Sequence, residues 1–65
     1  MNITVNGEAA SIDPLSVQEY LVSLGIDPRR VAVELNREIL PKPEYPGTLL
    51  NEGDNLEIVH FVGGG

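Results

Sequence analysis

The chain has 65 residues, ten of them acidic and four basic, and its net charge is −6. One domain of this size has no room for a deep, enclosed catalytic pocket, and so acidic a surface disfavours nucleic acid and anionic membranes as partners. With no Cys and with His60 as the one His, disulfides are excluded and no metal site is expected.

The first predicted element is a β-hairpin. Asn2 to Val5 alternates polar and apolar residues, which is typical of a half-buried strand. Asn6-Gly7 follows, and both residues accept the positive φ angles of a type I′ turn. Glu8 to Ile12 is predicted to return as the second strand.

A short helix is predicted next. Ser16 and Glu19 have the spacing of a capping box, in which each side chain accepts a hydrogen bond from a backbone amide at the start of the helix. Gly25 is suited to the left-handed residue that ends a helix. The apolar residues between them follow the spacing of one helix face: Val17, Tyr20, Leu21 and Leu24.

Three further strands are predicted after the helix. Val31 to Leu35 is rich in β-branched residues and indicates a central strand, and Glu38 to Leu40 follows a turn as a short one. Three prolines make Pro41 to Gly47 a predicted loop. Leu56 to Val62 is the last predicted strand.

The order of these elements predicts an α+β fold. A helix between the second and third strands cannot be a tight hairpin, so it should cross over and pack on one face of the sheet. A mixed sheet packed on one main helix is the β-grasp, or ubiquitin-like, arrangement. Residues 1–62 are expected to form this domain and residues 63–65 a flexible glycine tail. The predicted core includes six residues: Val5, Leu21, Leu24, Val33, Leu56 and Ile58.

The last strand carries a possible docking surface. If Leu56 and Ile58 face the core, alternation places Val59 and Phe61 on the opposite face, close to the tail. The opposite register would bury both and remove the surface. His60 has no carboxylate or nucleophile at a recognisable spacing, so a strand histidine facing water or a partner is favoured over a proton carrier.

The three final glycines have a functional and an inert interpretation. A segment without Cβ atoms, Gly63 to Gly65, could enter a narrow channel of a partner and deliver its carboxylate to a reaction centre. A frayed terminus is the alternative. Because apolar Phe61 and Val62 lead directly into the glycines, without a polar linker, the functional interpretation is favoured.

Several segments together resemble the ThiS family, the sulfur carriers of thiamine biosynthesis. They are Ile3-Thr4-Val5-Asn6-Gly7-Glu8, Val31-Ala32-Val33-Glu34-Leu35-Asn36, Glu52-Gly53-Asp54, Leu56-Glu57-Ile58-Val59 and Phe61-Val62-Gly63-Gly64-Gly65. The resemblance spans essentially the whole chain and implies a carrier rather than an enzyme. An E1-like adenylating enzyme of the ThiF type would use ATP and magnesium to convert the Gly65 carboxylate into an acyl-adenylate.

The resemblance also implies the later partners. A sulfur donor such as a cysteine desulfurase would convert the adenylate into a thiocarboxylate, and a thiazole synthase of the ThiG type would accept the sulfur. The implied contact residues are Val59, Phe61, Val62, Gly63 and Gly64.

Two alternatives remain open from the sequence. One is the small subunit of molybdopterin synthase, which shares the fold and the Gly-Gly end but is usually longer. The other is a non-catalytic β-grasp binding module. No stretch approaches the roughly 20 apolar residues of a membrane span, and the first residues lack the features of a signal peptide. A cytoplasmic protein is therefore expected.

Overall fold

The computed structural model describes residues 1–61 as a five-stranded mixed sheet with one α-helix. The strands lie in the order β2-β1-β5-β3-β4, and β1 runs parallel to β5 whereas the other neighbours are antiparallel. The β-grasp prediction is thereby confirmed. The elements are β1 Asn2–Val5, β2 Glu8–Ser11, α1 Val17–Ser23, a 3-10 helix Pro28–Arg30, β3 Val31–Leu35, β4 Glu38–Leu40, a second 3-10 helix Lys42–Gly47 and β5 Asn55–His60.

Both hairpins turn through residues with positive φ. Asn6 and Gly7 have φ angles of 49° and 82°, which confirms the predicted turn between β1 and β2. Asn36 and Arg37, at 52° and 70°, join β3 to β4 in the same way. Two left-handed central residues match the right-handed twist of antiparallel strands, and the turns therefore fix the pairing of both hairpins.

The predicted capping box begins α1. The Glu19 amide donates to Ser16 Oγ at 3.0 Å, and the Ser16 amide donates to Glu19 Oε1 at 2.9 Å. The helix ends sooner than its apolar stripe: Leu24 is already the C-cap and is 49% exposed, so its predicted place in the core is wrong. Gly25 follows at φ 76° and turns the chain away, so Leu24 no longer lies on the buried face.

The core lies between α1 and one face of the sheet. Leu21, Val33, Leu56 and Ile58 are buried as predicted, whereas Val5 is half-buried at the margin. The remaining buried apolar residues are Ile3, Val17, Tyr20, Val31, Tyr45 and Leu50. No helix among residues 1–61 is both long and apolar enough to span a membrane.

The proline-rich segment is more ordered than predicted. Pro41 to Gly47 is not an irregular loop, because Lys42–Gly47 forms a 3-10 helix. The fixed φ of proline falls in the 3-10 range, and so short a helix makes few hydrogen bonds that a missing amide could break. This helix places Tyr45 in the core, where its hydroxyl donates to the Val31 carbonyl at 3.2 Å. Burial raises the pKa of Tyr45.

The last strand is shorter than predicted and ends at His60. Phe61 still contacts the neighbouring segment, since its amide donates to the Arg30 carbonyl at 3.2 Å. Val62 and the predicted tail, residues 63–65, lie outside the described residues.

Candidate functional site

The strand that leads toward the glycines, β5, is the central strand of the sheet. It lies between β1 and β3, and its side chains alternate between two environments. Leu56 and Ile58 are buried against the core, whereas Val59 and Phe61 are 51% and 60% exposed. This confirms the register that leaves Val59 and Phe61 on the far face. Their role in binding a partner stays a prediction.

The face of the sheet turned away from α1, here called the outer face, combines apolar and acidic groups. Val59 lies opposite Ala32 on β3, and Glu57 lies opposite Glu34. The exposed Ile39 on β4 lies opposite Glu34 in turn. Like charges directly opposite each other are destabilising. The outer face therefore has a composition that folding alone does not favour.

The Asn6 side chain fixes β5 from the β1 side. The Ile58 amide donates to Asn6 Oδ1 at 2.7 Å, and Asn6 Nδ2 donates to the Ile58 carbonyl at 3.2 Å. The Asn6 side-chain amide thereby bonds to both backbone groups of Ile58, as a neighbouring strand would. It extends the contact between β1 and β5 beyond the end of β1. The sequence identified Asn6 only as a turn residue, and nothing in a single sequence distinguishes the two roles.

A second polar group fixes the start of β5. Asp54, which is buried, accepts hydrogen bonds from Asn36 Nδ2 at 3.0 Å and from the Asn51 amide at 2.8 Å. Asn36 Oδ1 accepts from the Asn55 amide at 2.9 Å. The β3–β4 turn is thus tied to the first residue of β5. The strand is held at its beginning and its middle, which makes it a well-supported base for the residues that follow.

Three basic residues lie beside the point where β5 ends. Lys42 Nζ lies 5.2 Å from the centroid of the Phe61 ring, within the range of a cation–π contact. The same ammonium donates to the Arg29 carbonyl at 2.7 Å. Arg30 is joined to this point by the hydrogen bond from the Phe61 amide to its carbonyl. These three residues, Arg29, Arg30 and Lys42, are called the basic corner.

One carboxylate accompanies the basic corner. Asp27 accepts hydrogen bonds from Arg29 Nε at 3.1 Å and Nη2 at 2.9 Å. These bonds, together with the Arg29 backbone amide, lower the pKa of Asp27 from 3.8 to about 2. Arg30 Nε is farther away, at 3.8 Å from Asp27 Oδ2. Asp27 is therefore committed mainly to Arg29.

The remaining predicted site residues are placed as follows. His60 is exposed and lies opposite Val31, in agreement with a strand histidine facing solvent. Val62, Gly63, Gly64 and Gly65 lie outside the described residues. Phe61 is the last described residue, and these four follow it directly in the sequence.

Comparison with known proteins gives a consistent set of relatives. The family model described as "ThiS family" matches residues 3–65. The sulfur carrier protein ThiS of Bacillus subtilis (strain 168) is 43% identical over 53 residues, covering 82% of this chain and 80% of that protein. A crystal structure of the thiamine biosynthesis protein (ThiS) from Geobacter metallireducens has a TM-score of 0.85 at 39% identity and covers 100% of both chains.

Longer proteins match as well. A thiazole synthase of Paramagnetospirillum magneticum is 47% identical over 66 residues, which cover 100% of this chain. A second thiazole synthase, from Magnetococcus marinus, is 38% identical over 66 residues. The chain spans only 20% of the length of either synthase.

Proposed function

The chain belongs to the ThiS family, and we propose that it is a sulfur carrier of thiamine biosynthesis that carries sulfur on the carboxylate of Gly65. The observation that carries the proposal is the position of β5. A central strand, held by hydrogen bonds from both sides, ends at His60 beside the exposed Phe61. Phe61 is followed in the sequence by Val62 and three glycines, the last of which is Gly65. The family match favours the thiamine carrier over the molybdopterin-synthase alternative.

The proposed chemistry begins with activation of a carboxylate. A free carboxylate is a poor acyl donor, so an E1-like enzyme with ATP and magnesium would join Gly65 to AMP and release pyrophosphate. A sulfur donor such as a cysteine desulfurase would then attack with its persulfide and displace AMP, and a thiol would reduce the resulting acyl disulfide to release the thiocarboxylate. Thiazole synthase would take the sulfur. The carrier contributes no acid, base or metal ligand to these steps, and its task is to present the terminus.

Glycine suits this presentation for a steric reason. Gly63, Gly64 and Gly65 lack Cβ atoms, so an enzyme channel that admits them can be narrow and can impose any φ angle. Three extended residues span about 10 Å. That length is enough to carry a carboxylate from the surface of a small domain into a partner.

The docking surface proposed for the enzymes is the outer face around Val59 and Phe61, continued by Val62, Gly63 and Gly64. Large apolar side chains that adjoin one another at the surface are typical of protein interfaces. Here they lie next to the residue from which the tail leaves. A partner seated on them would therefore find the glycines at the edge of its contact.

The matched synthases support thiazole synthase as one of these partners. In both, a segment similar to this whole chain is part of a polypeptide named thiazole synthase. Joining the carrier-like segment and the rest of the synthase in one polypeptide raises the effective concentration of each for the other. This is an advantage only if the two segments bind each other.

The proposal is tested by ATP–pyrophosphate exchange with the adenylating enzyme of the same organism. Deleting Gly65, replacing Gly64→Val, or adding one bulky residue after Gly65 should each reduce exchange to background while the domain stays folded. The matched control is Gly47→Val, because a Cβ at Gly47 would meet nothing within 4 Å and its φ is not positive. This variant should exchange at the unmodified rate.

Exchange at the unmodified rate by any folded tail variant would replace the carrier proposal with the binding-module alternative. A second measurement is the intact mass of the protein purified from its own cells. Replacement of one oxygen by sulfur, localised to Gly65, is the expected result.

A further inference from the structure

The basic corner has a charge opposite to that of the molecule as a whole. The chain carries four basic residues against ten acidic ones. Three of those four residues are neighbours at the basic corner: the Lys42 ammonium contacts the Arg29 backbone carbonyl and the Phe61 ring, and the Arg30 backbone carbonyl accepts a hydrogen bond from the Phe61 amide. The fourth, Arg37, lies in the turn beyond the far end of β3, about 13 Å or more along the strand from Val31. Most of the basic residues are therefore clustered at the place where β5 ends.

Two of these cations keep hydrogen-bonding capacity for a partner. An ammonium has three N–H donors and a guanidinium has five. Among the described residues, Lys42 makes one hydrogen bond, to the Arg29 carbonyl. Arg30 has a side chain that is 83% exposed, and its 3.8 Å contact with Asp27 is longer than a hydrogen bond. Arg29, by contrast, is paired with Asp27 through two short bonds.

The apolar surroundings define the kind of anion that fits. Lys42 lies over the Phe61 ring, and Phe61 and Val59 are both more than half exposed. A ligand at this corner therefore meets cations and apolar surface together. A protein segment with Asp or Glu next to an apolar residue offers both kinds of group. A free nucleotide would match the cations but would leave Phe61 and Val59 uncovered, and a net charge of −6 would repel it.

We propose that the basic corner binds an acidic segment of the enzyme that receives the tail, with its carboxylates on Arg30 and Lys42 and an apolar side chain on Phe61 and Val59. The inference rests on the proposed function for the identity of that enzyme. Elsewhere the surface is mostly acidic, so a carboxylate-bearing segment is attracted at this corner and repelled in other orientations. The corner thus sets the orientation in which the enzyme meets the start of the tail.

The test measures Kd for the full chain with two separate proteins from the same organism, the adenylating enzyme and the thiazole synthase. Arg30→Glu is compared with the matched control Arg37→Glu, which makes the same change in charge at the other end of β3. In 50 mM NaCl, Arg30→Glu should raise the Kd for at least one enzyme about tenfold, and Arg37→Glu less than about twofold. In 1 M NaCl the difference should disappear, because the Debye length falls to about 3 Å.

Two substitutions of Lys42 distinguish the effect of its charge from the effect of its packing on Phe61. Lys42→Glu should weaken binding as Arg30→Glu does, whereas Lys42→Arg keeps the charge and the contact with Phe61 and should bind like the unmodified protein. Equal Kd values for Arg30→Glu and Arg37→Glu with both enzymes would overturn the proposal. A loss that persists in 1 M NaCl with a lowered Tm would overturn it too, since that is a folding defect. Binding of AMP or ATP to the chain alone, lost in Arg30→Glu while both enzyme Kd values stay unchanged, would assign the corner to nucleotide instead.

The outcomes for the corner and for the carrier function are independent. If Gly65 acquires sulfur and the charge reversals leave both Kd values unchanged, the corner proposal fails and the carrier function stands. If Gly65 never acquires sulfur and Arg30→Glu selectively weakens binding, the carrier function fails and the corner is a docking site. If the unmodified chain binds neither enzyme, both fail.

Discussion

The two faces of β5 contain similar residues in opposite environments. Leu56 and Ile58 are buried between the sheet and α1, whereas Val59 and, one residue past the end of the strand, Phe61 are more than half exposed. Burying an aliphatic or aromatic side chain contributes about 1.5–3 kcal/mol to folding, and leaving it exposed contributes almost none of this. The inner face therefore stabilises the domain, and the outer face retains apolar area that a partner can bury.

The largest effect is expected from Leu21→Ala on the inner side. Leu21 is fully buried, and its truncation should lower the free energy of unfolding by about 2–5 kcal/mol, through lost transfer energy and a cavity. Leu24→Ala, one helical turn away and half exposed, should change it by less than about 0.5 kcal/mol. Urea unfolding of the two variants measures both, and equal losses would show that α1 extends further than the structure places it.

A smaller loss of stability is expected when the buried carboxylate of Asp54, at the start of β5, is removed. Asp54→Ala would leave Asn36 Nδ2 and the Asn51 amide without their acceptor, which should cost about 1–3 kcal/mol. Thermal unfolding gives the loss of stability, with Asp13→Ala, an exposed residue, as the control. Well below its Tm, the Asp54 variant should still bind the adenylating enzyme, because the outer face is intact. Weakened binding by fully folded protein would place Asp54 in the interface.

On the outer face, stability and binding should separate. Phe61→Ser should change the free energy of unfolding by less than about 1 kcal/mol, mostly through loss of the contact with Lys42, and weaken binding to the adenylating enzyme about tenfold, since aromatic residues carry much of the energy of interfaces. Leu49→Ser removes another exposed apolar side chain and should leave binding unchanged. A sharp fall in Tm for Phe61→Ser would instead make Phe61 part of the core.

The smallest effect concerns the ion pair beside the basic corner. The pKa of Asp27 is lowered from 3.8 to about 2, first by the hydrogen bonds from Arg29. The folded state favours the charged form of Asp27. The ion pair therefore stabilises the fold above about pH 4, and this stabilisation is lost as the pH falls from about 4 to about 2. The change should be slight, since the Arg29 side chain is 88% exposed and surface pairs contribute little.

The carboxyl carbon of Asp27, followed by NMR, should titrate with a midpoint near 2, and in Arg29→Gln the midpoint should return toward 3.8. A midpoint near 4 in the unmodified protein would mean that the pair does not form in solution.

Local signals in the sequence were enough for most elements. The Asn6-Gly7 turn, the Ser16–Glu19 capping box and the β-branched run Val31 to Leu35 all lie where they were predicted. Each depends on residues within about four positions of one another, so no knowledge of the rest of the fold is needed. Alternation within β5 likewise predicts which residues share a face, provided that Leu56 is buried.

One error is local, and the others arose where distant parts of the chain decide the outcome. Leu24 has the spacing of the buried stripe, but it is already the C-cap of α1, and the chain turns away at Gly25. Tyr45 was not predicted in the core, because three surrounding prolines indicated a loop, and only the contact of the second 3-10 helix with α1 and Val31 explains its burial. Asn6 and Asn36 bond to β5 across 52 and 19 positions of sequence.

The sequence by itself therefore determined most of the strands, the helix start, the turns and, through resemblance, membership of the ThiS family, because these follow from short-range stereochemistry and from motifs. The tertiary structure decided which apolar residues are buried, how β5 is fixed, and that three basic residues of an acidic protein lie beside Phe61. Those features depend on the order in which strands pair, and a parallel β1–β5 contact joins residues from opposite ends of the chain, which no local pattern specifies.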